Sequence, residues 1–237
     1  MSLTKIPFIL LATWAFNTSM TPPNPPPPEN ERITSRVPME SPKYTQWVTF
    51  AVRVLQLFIA TTEIATILAS ATPSWTLSQL FLSLLIWRDG KPDNLRLSNV
   101  AALGVVVMVL GTWIRLMTYR HLGRFFRFEA SIQKDHELIV SGPYSVVRHP
   151  SYTGLMMVFV GWFPWQMSKG SWFMESGLWN TMLGKMVVVT YSSIIILTSY
   201  LVLERMSKED ASLRNRFGTK WDDWAKRVPY SIFPGVY

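Results

Sequence analysis

Residues 98–118 read Ser98-Asn-Val-Ala-Ala-Leu-Gly-Val-Val-Val-Met-Val-Leu-Gly-Thr-Trp-Ile-Arg-Leu-Met-Thr118, an apolar run around a Val-Val-Val-Met-Val-Leu centre. As a helix rising about 1.5 Å per residue, a run of this length crosses a ~30 Å hydrocarbon core. Its exit is basic, with Arg115, Arg120, Arg124 and Arg127. Working outward, residues 47–71 are also long enough to span, although they carry Arg53 and Glu63. Charges at that depth are expected to face other helices or the interfaces rather than lipid. Residues 153–167 and 178–203 read as further spans joined by the short connection 168–177. The run 75–87 is short for a bilayer core and reads as the return leg of a hairpin broken near Pro73. The pattern predicts an all-α polytopic transmembrane helical bundle of about five or six spans.

Composition agrees. Charged residues make up 16% and aromatic ones 14%, with 11 tryptophans, a profile that suits a chain solvated partly by lipid with tryptophan at its interfaces. The net charge of +8 lies mainly in stretches flanking apolar segments, which favours the lipid bilayer over nucleic acid as the basic partner. The absence of cysteine excludes disulfides, zinc-thiolate sites and cysteine nucleophiles.

At the N-terminus, residues 6–20 form a short apolar run behind a single lysine, open to three readings: a first span, an interfacial segment or a signal-peptide core. The stretch Thr21-Pro-Pro-Asn-Pro-Pro-Pro-Pro28 cannot be helix and reads as a stiff polyproline linker. The expected division is 1–43 for the apolar segment and linker, 44–118 for N-terminal transmembrane helices, and 119–237 for two more spans with the tail. Loop 120–149 and the tail 204–237 are richest in Arg and Lys, and an even number of spans separates them. Both are therefore expected on the cytosolic side. The turn 88–96 falls on the opposite side in this scheme despite its basic residues.

Chemistry concentrates in Ser141-Gly-Pro-Tyr-Ser-Val-Val-Arg-His-Pro-Ser-Tyr-Thr-Gly154, where Gly142-Pro143 predicts a turn and Pro150 a helix start. Around it lie Glu129, His136, Glu137, Arg148 and His149. The tail begins Glu204-Arg205-Met-Ser-Lys-Glu209-Asp210, and on a helix Arg205 and Glu209 share a face. Two readings stand side by side: a salt bridge capping the last span, or part of a site shared with the loop. No glycine-rich dinucleotide fingerprint, P-loop or serine-nucleophile elbow occurs. His121, His136 and His149 lack metal-helix spacing, so no metal is expected.

These residues also carry a resemblance. His136-x-Leu138, Ser141-Gly-Pro-Tyr144 and Arg148-His-Pro-Ser-Tyr-x-Gly154, followed by Glu204-Arg205, Glu209, Leu213, Phe217-Gly218, Trp221 and Lys226-Arg-Val-Pro229, resemble the isoprenylcysteine carboxyl methyltransferase family. The resemblance covers residues 128–237, and its Arg-His-Pro-x-Tyr element is shared with phospholipid methyltransferases. It implies a multi-pass enzyme of the endoplasmic reticulum membrane. Such an enzyme transfers a methyl group from S-adenosyl-L-methionine to the C-terminal carboxylate of prenylated cysteine in processed proteins. By the same resemblance 119–237 is the methyltransferase core, with a cytosolic cofactor pocket formed by the loop and the C-terminal helix. Glu129, His136, Glu137, Leu138, Ile139, Tyr144, His149, Pro150, Ser151, Tyr152 and Glu209 would bind the cofactor. Glu129 is acidic where the family has a polar contact. Arg205 would hold the substrate carboxylate and, with Glu209, form the catalytic pair. The alternatives are a phospholipid or other small-lipid methyltransferase, and a non-catalytic membrane scaffold of the same fold.

Overall fold

The computed structural model describes residues 2–31, 41–87, 89–129, 131 and 133–235. The described residues are helical apart from turns and loops: α1 Ile6–Ser19, α2 Pro42–Ala71, α3 Thr76–Leu85, α4 Asn99–Leu122, α5 Pro150–Met167, α6 Trp172–Glu175, α7 Met182–Phe217 and α8 Thr219–Arg227. Among them α2, α4 with its 3-10 extension, and α7 are long and apolar enough to cross a membrane, against the five or six spans expected. The run 75–87 yields only the 10 residues of α3, because Trp75 and Ile86 at its ends are extended. The apolar window of α7 buries none of its residues, as a lipid-facing helix can. Between Lys185 and Phe217 there is neither Gly nor Pro, so α7 runs unbroken from the last apolar run into the polar tail. It stops at Gly218, whose φ of +54° is left-handed. Pro229 then lies just past α8, beyond its C-cap Val228.

The chain divides into two compact units: residues 1–18, 53–110 and 157–196 make the first, and 19–52, 111–156 and 197–237 the second. The first unit buries Ile9, Ala12 and Phe16 of α1. Lys5, ahead of that helix, is fully buried, and its Nζ donates to Glu63 Oε1 at 2.6 Å and to the Gly170 carbonyl at 2.7 Å. Trp172 N donates to the same Glu63 oxygen at 3.0 Å. Gln56 of α2 donates to Thr13 Oγ1 and accepts from Trp162 Nε1. Also in this unit, a Cβ on Gly104 would stand 2.6 Å from the Gly161 carbonyl oxygen, so α4 and α5 touch there backbone to backbone.

The second unit contains another close approach of those two helices. A Cβ on Gly154 would meet the Gly111 carbonyl oxygen at 2.5 Å. One helical turn on from Gly111, the buried Arg115 donates from Nε to the Ser19 carbonyl and from Nη1 to both Ser151 oxygens. Loop 120–149 and the tail both belong to this unit, which supplies the residues of the candidate site.

Removing one partner of a buried ion pair leaves a stranded charge and costs about 3–5 kcal/mol, whereas replacing both can be nearly neutral. Lys5→Met is therefore expected to lower unfolding stability by about that amount, and Lys5→Met/Glu63→Met to recover most of it. Thermal unfolding in detergent checks this; equal losses in the single and double variants would show that packing, not charge, holds Lys5.

Candidate active site

The loop before α5 is shaped by its punctuation. Gly142 has φ +60°, open to glycine at little cost, and the 3-10 turn Gly142–Ser145 follows with Pro143 near its start. Pro150 opens α5, where its missing N–H is no loss. Just before it, Arg148 N and His149 N donate to the carbonyls of Tyr230 and Ser231 at 2.9 and 2.8 Å. The extended tail after α8 is thereby stitched to the loop.

Consecutive carboxylates of α7 receive the side chains of this stitched segment. Tyr152 Oη donates to Glu209 Oε1 at 2.7 Å, and Arg205 Nε donates to the same oxygen at 2.8 Å. Arg205 Nη1 donates to the Phe128 carbonyl. Its guanidinium lies 5.9 Å from the Tyr152 ring centre. His149 is buried between the carboxylates, with Nε2 3.0 Å from Asp210 Oδ1 and Nδ1 3.6 Å from Glu209 Oε2. Arg148 Nε donates to the other Asp210 oxygen at 3.2 Å. Burial alone would lower the His149 pKa, but hydrogen bonds to Asp210 and Glu209 and their charges outweigh it and raise the pKa to about 9. His149 is thus an imidazolium at neutral pH, and Arg148, His149 and Arg205 are cations set against Glu209 and Asp210.

Tyr144, Trp224 and Val228 form a buried apolar cluster, with Leu138, Ile139, Val140 and Trp221 packed against it. Trp224 Nε1 donates to the Tyr144 carbonyl at 3.1 Å. Burial, and then the charge of Glu209, push the Tyr144 hydroxyl above its ordinary range despite Arg115, so it stays a phenol. His136 lies 4.9 Å from the Phe125 ring and 6.2 Å from the Phe217 ring. Burial first, and then Arg216, lower its pKa, which keeps it neutral at pH 7. Among the described residues, His136 Nδ1, Ser131 Oγ, Arg127 Nε and Trp221 Nε1 are buried atoms without a hydrogen-bond partner. Each such atom costs about 1–3 kcal/mol unless something satisfies it.

Of the residues singled out in the sequence, His149, Tyr152, Arg205 and Glu209 meet in one hydrogen-bonded group. Leu138, Ile139 and Tyr144 meet in the apolar cluster, and Pro150 starts α5. Ser151 is engaged by Arg115, Glu129 is buried, and Glu137 is exposed. Asp210, Arg115 and Ser231 were not singled out. A second carboxylate next to Glu209 and a lone arginine inside an apolar run were the signals available.

A family model described as phospholipid methyltransferase matches residues 100–196. The chain is similar to the protein-S-isoprenylcysteine O-methyltransferase of Rattus norvegicus, 28% identical over 165 residues, which is 69% of this chain and 49% of that protein. The protein of the same name from Schizosaccharomyces pombe is 29% identical over 136 residues, 56% of this chain and 49% of that one. A delta(14)-sterol reductase of Mus musculus is 29% identical over 101 residues, 43% of this chain and 20% of the reductase. The chain spans about half the length of the two isoprenylcysteine relatives.

A pKa raised from 6.5 to about 9 in the folded state stabilises the fold fully below pH about 6.5, and that contribution is lost as pH rises through about 9. The unfolding midpoint is expected to fall across this window. His149→Gln should remove that part of the fall, as read by melting curves at stepped pH. An unchanged slope in the variant would refute the imidazolium assignment.

Proposed function

We propose that this chain is a multi-pass methyltransferase of the endoplasmic reticulum membrane that transfers a methyl group from S-adenosylmethionine to the C-terminal carboxylate of a prenylated cysteine. One observation carries the reading. Arg205 lies just past the apolar run of α7, partly buried, with its guanidinium oriented by Glu209 and the Phe128 carbonyl. A guanidinium presents five donors in a planar fork that suits a carboxylate, and its expense at the end of an apolar helix is offset only by anions. A lipid-modified carboxylate brings both the anion and a tail for the bilayer. The relatives named above support the reading.

The residues fit the proposed cofactor by their donor set. The unsatisfied atoms of His136, Ser131, Arg127 and Trp221 suit a nucleoside, and Glu129 and Glu209 suit its positive charges. Leu138, Ile139 and Tyr144 supply the apolar wall, with Glu137, Pro150 and Ser151 in the flanking loop and helix start. When bound, S-adenosylmethionine supplies an electrophilic methyl group on a sulfonium.

The chain's own work is then placement. The substrate carboxylate is already an anion at pH 7, so no strong base is needed. Arg205 orients that carboxylate, while Tyr152 and His149 fix Glu209 on its other side. Holding two reactants in line in a site with little water accounts for large rate effects without covalent chemistry.

A second reading has one observation in its favour. The family model named for phospholipids ends at residue 196, before Arg205 and Glu209. An amine headgroup has less need of a guanidinium clamp, so that reading leaves Arg205 unexplained.

Transfer of tritiated methyl groups to a farnesylcysteine analogue and to phosphatidylethanolamine separates the two. Methylation is expected on the farnesylcysteine. Arg205→Lys keeps the charge and loses the fork, so its rate should fall at least about tenfold, roughly 1.4 kcal/mol of transition-state stabilisation. Its affinity for S-adenosylmethionine should stay within about twofold of the parent. Glu209→Gln should lower both rate and affinity. Methylation of phosphatidylethanolamine alone would favour the second reading, and absence of cofactor binding would leave a scaffold.

A further inference from the structure

Asp210 lies one residue past Glu209 on α7, and both of its oxygens are used. Oδ1 is 3.0 Å from His149 Nε2, and Oδ2 accepts from Arg148 Nε at 3.2 Å. The rest of the Arg148 guanidinium reaches the segment after α8. Nη1 donates to the carbonyls of Val228 and Pro229, and Nη2 donates to Ser231 Oγ at 2.7 Å. The backbone N–H groups of Arg148 and His149 hold the carbonyls of Tyr230 and Ser231, and Thr153 Oγ1 donates to the Ile232 carbonyl at 2.7 Å. Val228, Ser231 and Ile232 are buried while Pro229 and Tyr230 are exposed, so this stretch lies along the surface of the second unit with three side chains turned inward.

We propose that Asp210 is a positioning residue for the candidate site, and that residues 228–232 are a strap it holds in place through Arg148. The imidazole of His149 has two ring nitrogens, and fixing Nε2 on Asp210 fixes the direction of Nδ1 towards Glu209. Glu209 is in turn the residue that Arg205 and Tyr152 grip. Without Asp210 the ring loses its anchor and Arg148 loses the anion that orients its fork. The strap then loses several of its bonds at once, because two of its carbonyls and one hydroxyl bind that same guanidinium. The charged and titratable groups around His149 are Asp210, Glu209 and Arg205 from α7, Tyr152 from α5, and the neighbouring Arg148. Of these, Asp210 is the closest anion, and its bond is the largest of the influences that keep His149 charged.

The consequence for catalysis rests on the methyltransferase reading, whereas the positioning does not, and the test keeps them apart. The chain has three histidines, so their ring signals in nuclear magnetic resonance spectra are assigned by single substitutions in detergent-solubilised full-length protein. In the parent, the His149 ring should stay protonated beyond pH 8. In Asp210→Asn its midpoint should fall by at least about one pH unit, a tenfold change in proton affinity that simple loosening of the fold would not produce.

S-adenosylmethionine affinity by calorimetry should fall at least about tenfold in Asp210→Asn, with KM for a farnesylcysteine analogue within about threefold. Arg148→Gln cuts the strap but leaves the Asp210–His149 bond, so it should lose cofactor affinity without lowering the His149 midpoint. A chain ended at Pro229 should behave as Arg148→Gln does, and one ended at Ile232 as the parent. An unshifted His149 midpoint in Asp210→Asn would overturn the positioning role. Parent-like cofactor affinity in the chain ended at Pro229 would overturn the strap. A parent protein that binds no S-adenosylmethionine would instead defeat the methyltransferase reading, and the His149 midpoint would still decide the role of Asp210.

Discussion

A partly buried arginine at the end of an apolar helix is costly to leave unpaired, and Arg205 finds its counter-charge within the protein. That requirement organises the second unit. Arg205 follows directly on the apolar run of α7, and its position selects Glu209 one turn further along the same helix. Glu209 then draws Tyr152 and His149 from the start of α5, and Asp210 beside it draws His149 and Arg148. Each added group supplies the hydrogen bond that its predecessor needs, so the network closes on itself. The first unit meets the same requirement with Lys5 and Glu63, where a carbonyl and a backbone N–H complete the shell.

The chemistry that the site suits follows from this charge pattern. Arg205, just past the apolar run of α7, presents a planar fork of donors of the kind that suits a carboxylate. His136 lies in a different chemical setting, against the Phe125 and Phe217 rings and near enough to Arg216 for that charge to disfavour its protonation.

Much of this was legible in the chain. Residues 98–118 and 47–71 announced membrane helices by length and apolarity, and Gly142-Pro143 and Pro150 announced the turn and the helix start. The i, i+4 spacing of Arg205 and Glu209 announced their pairing. The run 75–87 read as a short helix after a break near Pro73, and α3 occupies its middle while Trp75 and Ile86 at its ends are extended. The glycines at 104, 111, 154 and 161 gave no local sign of their use. A small residue is equally compatible with a loose helix and with one pressed against a neighbour's carbonyl.

The sequence by itself determined the helical class, the membrane character, and the presence of a cationic, aromatic loop and a charged tail. Those properties depend on the length, period and composition of single segments, which local physics reads directly. Only the tertiary structure decided that Asp210 shares His149 with Glu209, that Arg148 grips residues 228–231, and that Arg115 ties Ser19 to Ser151. Such pairings join residues 36 to 96 positions apart. Nothing in local propensity ranks one distant partner above another; packing chooses among them by which donor and acceptor can be buried together without a charge or a hydrogen bond left unmet.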